Sequence, residues 1–93
     1  MDLKNYRRQI DEIDNELLRL FKERMDVSRQ IASYKKEHDL PALDMTRERE
    51  KLSDIKEKAG AEMGPYARIL YMTLFSLSRL YQEDLLRDEP KPE

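Results

Sequence analysis

From Asp2 to His38 the chain runs without a glycine or a proline, and this uninterrupted stretch limits the fold more than any other feature. It is rich in Leu, Arg, Glu and Lys, which lose little side-chain freedom in a helix. Its apolar residues fall at Leu3, Tyr6, Ile10, Ile13, Leu17 and Leu20, then at Val27, Ile31 and Tyr34. Steps of three and four alternate, the period of a packed helical seam. A helix of roughly 36 residues is about 54 Å long. A compact globule of this chain length has a radius of gyration near 12 Å, hence a diameter of roughly 32 Å. The first helix therefore outgrows its own domain, and much of its seam stays wet unless something else covers it. A second copy related by a two-fold axis is the simplest cover.

The remaining punctuation divides the chain further. Breakers recur only at Pro41, Gly60, Gly64, Pro65, Pro90 and Pro92. Asp44 is suited to cap a second helix, with Met45, Leu52 and Ile55 on its apolar side. Gly60 to Gly64 reads as a loop, and Pro65 opens a third helix at a position where a missing N–H is harmless. The expected fold is thus all-α, with three helices over about 3–38, 44–58 and 65–87, assembled as an intertwined helical homodimer. Residues 1–87 form the domain, and the charged, proline-containing 88–93 form a disordered tail or the start of a linker.

Composition excludes several classes of function. There is no cysteine, so disulfides and thiolate chemistry are absent, which is compatible with a reducing cytoplasm. The longest uncharged run, Ile69 to Ser78, is far too short to span a bilayer. The N-terminus has no basic region followed by an apolar one, so no signal peptide is expected. A formal charge of −2 gives no general attraction to nucleic acid. An anionic ligand must be held by a local cluster of basic groups.

Such a cluster is visible. With Leu3 at heptad position a and Tyr6 at d, Arg24 occupies an a position inside the apolar stripe. Burying an unpaired guanidinium costs several kcal/mol, so Arg24 needs a partner. A buried ion pair or a register-fixing polar residue would satisfy that need without any chemistry. Arg7, Asp14, Phe21, Ser28 and Lys35 flank the seam at e, and each one alone reads as part of a solvated face. Arg24 and Lys35, however, are eleven residues apart. They point the same way about 16 Å apart along the axis, a spacing that lets two long side chains reach around a small dianion. Arg7 is about 42 Å from Lys35 in the same helix. In an antiparallel pair crossing near residue 20 the partner's copy of this position would lie opposite residues 30 to 35. Arg47 stands in a first helical turn, where the dipole favours Asp44 and Glu48 instead. Tyr71, Phe75, Ser78 and Gln82 share one stripe, although a Ser and a Gln on a helix ordinarily just face water.

The order Arg7, Arg24, Lys35, then Asp44-Met45-Thr46-Arg47-Glu48-Arg49, then Ser78-Arg79-Leu80-Tyr81-Gln82 resembles the all-helical chorismate mutases. The opening Arg7-Arg8-Gln9-Ile10-Asp11-Glu12-Ile13-Asp14 also looks like the start of that family. The resemblance spans roughly Leu3 to Gln82; its specificity lies in the joint spacing, not in any one motif. It implies a cytoplasmic, cofactor-free and metal-free isomerase that rearranges chorismate to prephenate on the route to phenylalanine and tyrosine. By position it implies that Arg24, with Arg7 from the other subunit, holds the substrate's two carboxylates, Ser78 adding a hydrogen bond. Arg47 would hold a carboxylate or shape the pocket. Glu48 would accept a hydrogen bond from the ring hydroxyl, with Asp44 supporting the loop, and Lys35 and Gln82 would donate to the ether oxygen of the breaking bond. Phe75 departs from the branched aliphatic residue expected there and would crowd the pocket wall. His38 has no expected role. Two other readings use the same residues: an isochorismate pyruvate lyase, which has less need of Asp44, Arg47 and Glu48 together, and a non-catalytic dimerisation or regulatory module of a larger aromatic-biosynthesis enzyme.

Overall fold

The computed structural model describes residues 2–41 and 43–87. The tail expected over 88–93 lies outside the described residues. Helix α1 spans Leu3–Glu37. Asp2 caps its start, the side-chain oxygen accepting the Asn5 N–H at 2.9 Å and so satisfying one orphan donor of the first turn. At the other end the Asp39 N–H bonds the Lys36 carbonyl, and the Leu40 N–H bonds the Lys35 carbonyl at 2.8 Å. That is a Schellman closure, with Asp39 in the left-handed region at φ 56° where glycine is usual.

Helix α2 spans Met45–Arg87 and begins as the sequence suggests. Asp44 accepts the Arg47 N–H through its side chain at 3.0 Å and the Glu48 N–H through its carbonyl at 3.1 Å. The expectation of three separate helices is corrected here: the described residues form two. The segment 60–64 is helical rather than a loop, and the departure from helical geometry is confined to Gly60, at φ 84° and ψ 172°. Pro65 accordingly lies inside α2 instead of opening a third helix. The physical reason is local. Ala61, Glu62 and Met63 are good helix formers, and a single glycine in a backbone region open almost only to glycine can redirect the chain without a longer connection.

The redirection is a reversal. Arg79 Nη1 lies 2.6 Å from Glu48 Oε1, although 31 residues of straight helix would part them by about 46 Å. Residues 45–59 and 61–87 are therefore two antiparallel arms that meet at an elbow. Close packing at the elbow is visible at Gly64, where an added Cβ would lie 3.3 Å from the Lys56 carbonyl oxygen. Where the second arm meets α1 the two run in the same sense: Arg24 meets Ser78, and one turn further along both helices Ser28 meets Gln82.

The molecule measures 61 × 30 × 15 Å, with a radius of gyration of 17.1 Å. No apolar side chain among the described residues is fully buried. The six seam residues from Leu3 to Leu20 are 50–61% exposed. No helix among the described residues is long and apolar enough to cross a membrane.

Candidate active site

Where the C-terminal half of α1 faces the two arms of α2, a cleft of about 460 Å³ opens. Arg24, Lys35, Asp44, Arg47, Glu48, Ser78 and Gln82 all line it. They come from three stretches of sequence, and each is delivered by a feature already described. The helical period puts Arg24 and Lys35 on one side of α1. The Asp44 cap fixes the start of α2 and with it Arg47 and Glu48. The Gly60 elbow folds the two arms together, so that Arg47 and Glu48 line the same hollow as Ser78 and Gln82. Arg7, the eighth residue, was expected from the other subunit; in its own chain it lies about 26 Å from Arg24 along α1, in a shallow pocket with Leu3, Lys4, Arg8 and Asp11.

Arg24 is half-buried, and the partner it requires is a neutral one. Its Nη1 donates to Ser78 Oγ at 2.9 Å, and its guanidinium carbon lies 5.9 Å from the centre of the Phe75 ring. Phe75 thus forms wall and cation–π support at once, and is itself braced edge-on by Tyr71, at 6.3 Å between centroids. A carboxylate partner would have cancelled the Arg24 charge. A hydroxyl and a ring leave it available to an incoming anion.

Ser28, Lys51 and Arg79 also line the cleft and were not expected as site residues. Ser28 is the one buried polar side chain among the described residues, at 7% exposure. Its Oγ accepts from Gln82 Nε2 at 3.1 Å, and its carbonyl oxygen accepts from the same nitrogen at 3.4 Å. Two acceptors on one nitrogen fix which end of the Gln82 amide faces α1. The spacing of Ser28 from Arg24, one helical turn, was the only signal in the sequence. For Arg79 there was none, since its partner Glu48 is reached only through the elbow. Its Nη1 donates to both Glu48 oxygens, at 2.6 and 2.7 Å.

Five basic side chains, Arg24, Lys35, Arg47, Lys51 and Arg79, share the cleft with two carboxylates, Asp44 and Glu48. A chain with a formal charge of −2 thus concentrates an excess of three positive charges in one hollow. That excess suits a small ligand carrying two carboxylates. Asp26 is held below the usual carboxylate range by hydrogen bonds from Arg29 and Gln30, and Asp54 by its bond from Lys58. Among the described residues no cluster of His, Cys, Asp and Glu could hold a metal ion. His38 stacks on Tyr34 at the end of α1, its Nδ1 2.9 Å from the Tyr34 carbonyl oxygen, and is not among the residues lining the cleft.

No curated protein and no solved structure matches the chain. A protein family does: its profile, described as chorismate mutase type II, matches residues 6–83, which takes in Arg7, the whole cleft and the elbow. The chain belongs to the type II chorismate mutase family.

Proposed function

We propose that this chain catalyses the concerted rearrangement of chorismate to prephenate, as a homodimer with two sites to which both chains contribute. The observation that carries the reading is the excess of cations in the cleft beside two neutral donors, Ser78 and Gln82. Chorismate bears two carboxylates, a ring hydroxyl and an ether oxygen, and the inventory answers each. Arg24, supported by Ser78, takes one carboxylate; Arg47 and the partner's Arg7 serve the other. Glu48 accepts from the ring hydroxyl, and Asp44 holds the turn that carries it. Lys35 donates to the ether oxygen, and Gln82 joins it with an Nε2–H released from Ser28 when the substrate binds.

The reaction is pericyclic, so it needs neither nucleophile nor proton relay. One contribution is confinement of the substrate in its compact reactive conformer. The other is stabilisation of the negative charge that grows on the ether oxygen as the C–O bond breaks. A million-fold acceleration asks for about 8 kcal/mol in total. A cationic donor, an oriented amide and a shaped wall are suitable means of supplying it.

The apolar row from Leu3 to Leu20 supports the dimer. Its side chains are half-exposed or more. Covering the rest of each is worth about 1 kcal/mol, a gain repeated along both copies. Arg7 lies on this same half of α1, so the association that buries the seam also carries Arg7 toward the other chain's cleft.

The test is to mix the protein with chorismate, follow the loss of enol ether absorbance and identify the product, with sedimentation run on the same sample. Prephenate formed by a species of about twice 11.2 kDa is expected. A folded dimer that leaves chorismate untouched, or that releases pyruvate from isochorismate instead, would overturn the reading.

A further inference from the structure

We propose that Arg79 is a positioning residue for the rearrangement, holding Glu48 in place as the acceptor of the substrate's ring hydroxyl. This rests on the reading of the cleft as a chorismate site.

The charges inside the cleft are in conflict. Glu48 is a carboxylate among cations: Arg24 and Lys35 face the hollow from α1, Arg47 and Lys51 from its own arm. Arg24 and Arg47 have to remain available for the carboxylates of the ligand, and Lys35 for its ether oxygen. A mobile Glu48 would compete with the ligand for all of them. It would neutralise a binding charge and leave the ring hydroxyl without an acceptor.

The geometry removes the conflict. Arg79 and Glu48 both line the cleft and also the larger groove of about 800 Å³ on the other side, so the pair forms the wall between the two. One nitrogen, Nη1, bonds both carboxylate oxygens from that wall, at 2.6 and 2.7 Å. Each oxygen has two lone pairs, so each keeps one for another donor. Arg79 is itself steadied, its Nη2 donating to Ser76 Oγ at 3.4 Å, one turn back on the same arm. A sequence of contacts thus runs from Ser76 through Arg79 to Glu48.

A plain structural tie between the arms of α2 would use the same contact, so exposure decides between the two roles. The Arg79 and Glu48 side chains are 39% and 22% exposed. Ion pairs open to water to this degree contribute little to folding stability. Removing Arg79 should therefore be felt in turnover far more than in unfolding.

The experiment is a double-mutant cycle in the full chain, read as kcat/KM for chorismate beside thermal unfolding at fixed protein concentration. Arg79→Ala should lower kcat/KM about tenfold or more, the scale of a lost charge-assisted hydrogen bond, with the unfolding midpoint little changed. Arg79→Lys keeps the charge with a single compact donor and should recover most of the loss. It also keeps the test decisive should the alanine variant fold poorly. In Glu48→Gln the charge held by Arg79 is gone, so adding Arg79→Ala should cost much less than it does in the wild type. Full activity in Arg79→Ala, or losses that simply multiply in the double variant, would overturn the proposal while leaving the reaction intact. Failure of the unaltered protein to turn over chorismate would instead sink the reading on which it rests.

Discussion

The two halves of α1 carry the same apolar rhythm and meet different surroundings. From Arg24 to Lys35 the helix lies against α2, and its polar residues find partners there: Arg24 on Ser78, Ser28 on Gln82. From Leu3 to Leu20 the same steps of three and four produce a row of wet side chains, with side-chain pairing confined to neighbours on the helix, such as Arg19 with Glu16. One half engages its own chain through polar residues and builds a cleft, although its apolar Val27, Ile31 and Tyr34 are themselves 46–56% exposed. The other has a pattern that its own chain does not use. The difference teaches that periodicity states what a helix face requires, and that tertiary reach decides whether the same molecule supplies it.

The largest expected effect lies in the half that builds the cleft. Arg24→Ala removes the cation gripped between Ser78 and Phe75 and should lower kcat/KM by roughly a thousandfold, the scale on which a preorganised charge contributes. Far-UV circular dichroism should retain the helical signal. A variant with near wild-type turnover would deny that this half holds the reacting molecule.

In the wet half, Leu17→Asp puts a charge at the centre of the uncovered row. A lone chain would tolerate it, since Leu17 is already 55% exposed. A dimer paired along that row would be split, because an unpaired charge in an interface costs several kcal/mol. Sedimentation should therefore report monomers at concentrations where the unaltered protein is dimeric, and turnover should fall with the dimer. Unchanged association would detach the wet row from any pairing role.

A mixing experiment joins the halves. Arg7→Ala and Lys35→Ala chains should each be poor alone. Mixed in equal amounts and allowed to exchange, half of the dimers would be hybrids with one intact site of two. About a quarter of the wild-type activity should return. Recovery no greater than that of the parents would mean that Arg7 works in its own chain or not at all.

How far the sequence revealed this arrangement depends on the reach of each signal. Helix α1 was legible to within a residue of its end, because a breaker-free run with a strict period leaves few alternatives. The Asp44 cap was legible for a similar reason: capping is decided within three residues. The elbow was not. Two glycines and a proline within six residues suggested a loop, whereas one residue in a glycine-only conformation reverses the chain and helix resumes at Ala61. Once the elbow is misjudged, no pattern pairs Glu48 with Arg79, 31 residues away. Ser28 was visible as a flank residue, but its burial follows from the approach of the second arm. Arg7 was readable only by supposing a second chain.

Gly60→Ala tests the elbow with an effect of intermediate size. Nothing lies within 4 Å of an added Cβ, so the substitution is sterically free and its cost is that of the backbone alone. With φ at 84° and ψ at 172°, that cost is about 1–3 kcal/mol. Chemical denaturation should register it, and turnover should fall as well, since the elbow sets the first arm, with Arg47 and Glu48, against the second. A loss of stability with turnover intact would mean that the cleft tolerates a shifted arm.

The smallest effect sits where α1 hands over to the cleft. Asp39 adopts the left-handed conformation that closes the helix, and its carboxylate lies at the negative end of the α1 dipole. Glycine would remove a side-chain strain of about 1–2 kcal/mol and the unfavourable charge, worth about 0.3 kcal/mol or more. Against this, glycine adds freedom to the unfolded chain, a cost of about 0.4–1 kcal/mol. Asp39→Gly should therefore gain stability, on the order of 0.5 kcal/mol or somewhat more, raising the midpoint by a few degrees at fixed protein concentration. Turnover should be unaffected, because Asp39 does not line the cleft. A drop in kcat/KM would mean that the carboxylate takes part at the cleft after all, and that the cleft-building half of α1 extends past its last helical residue.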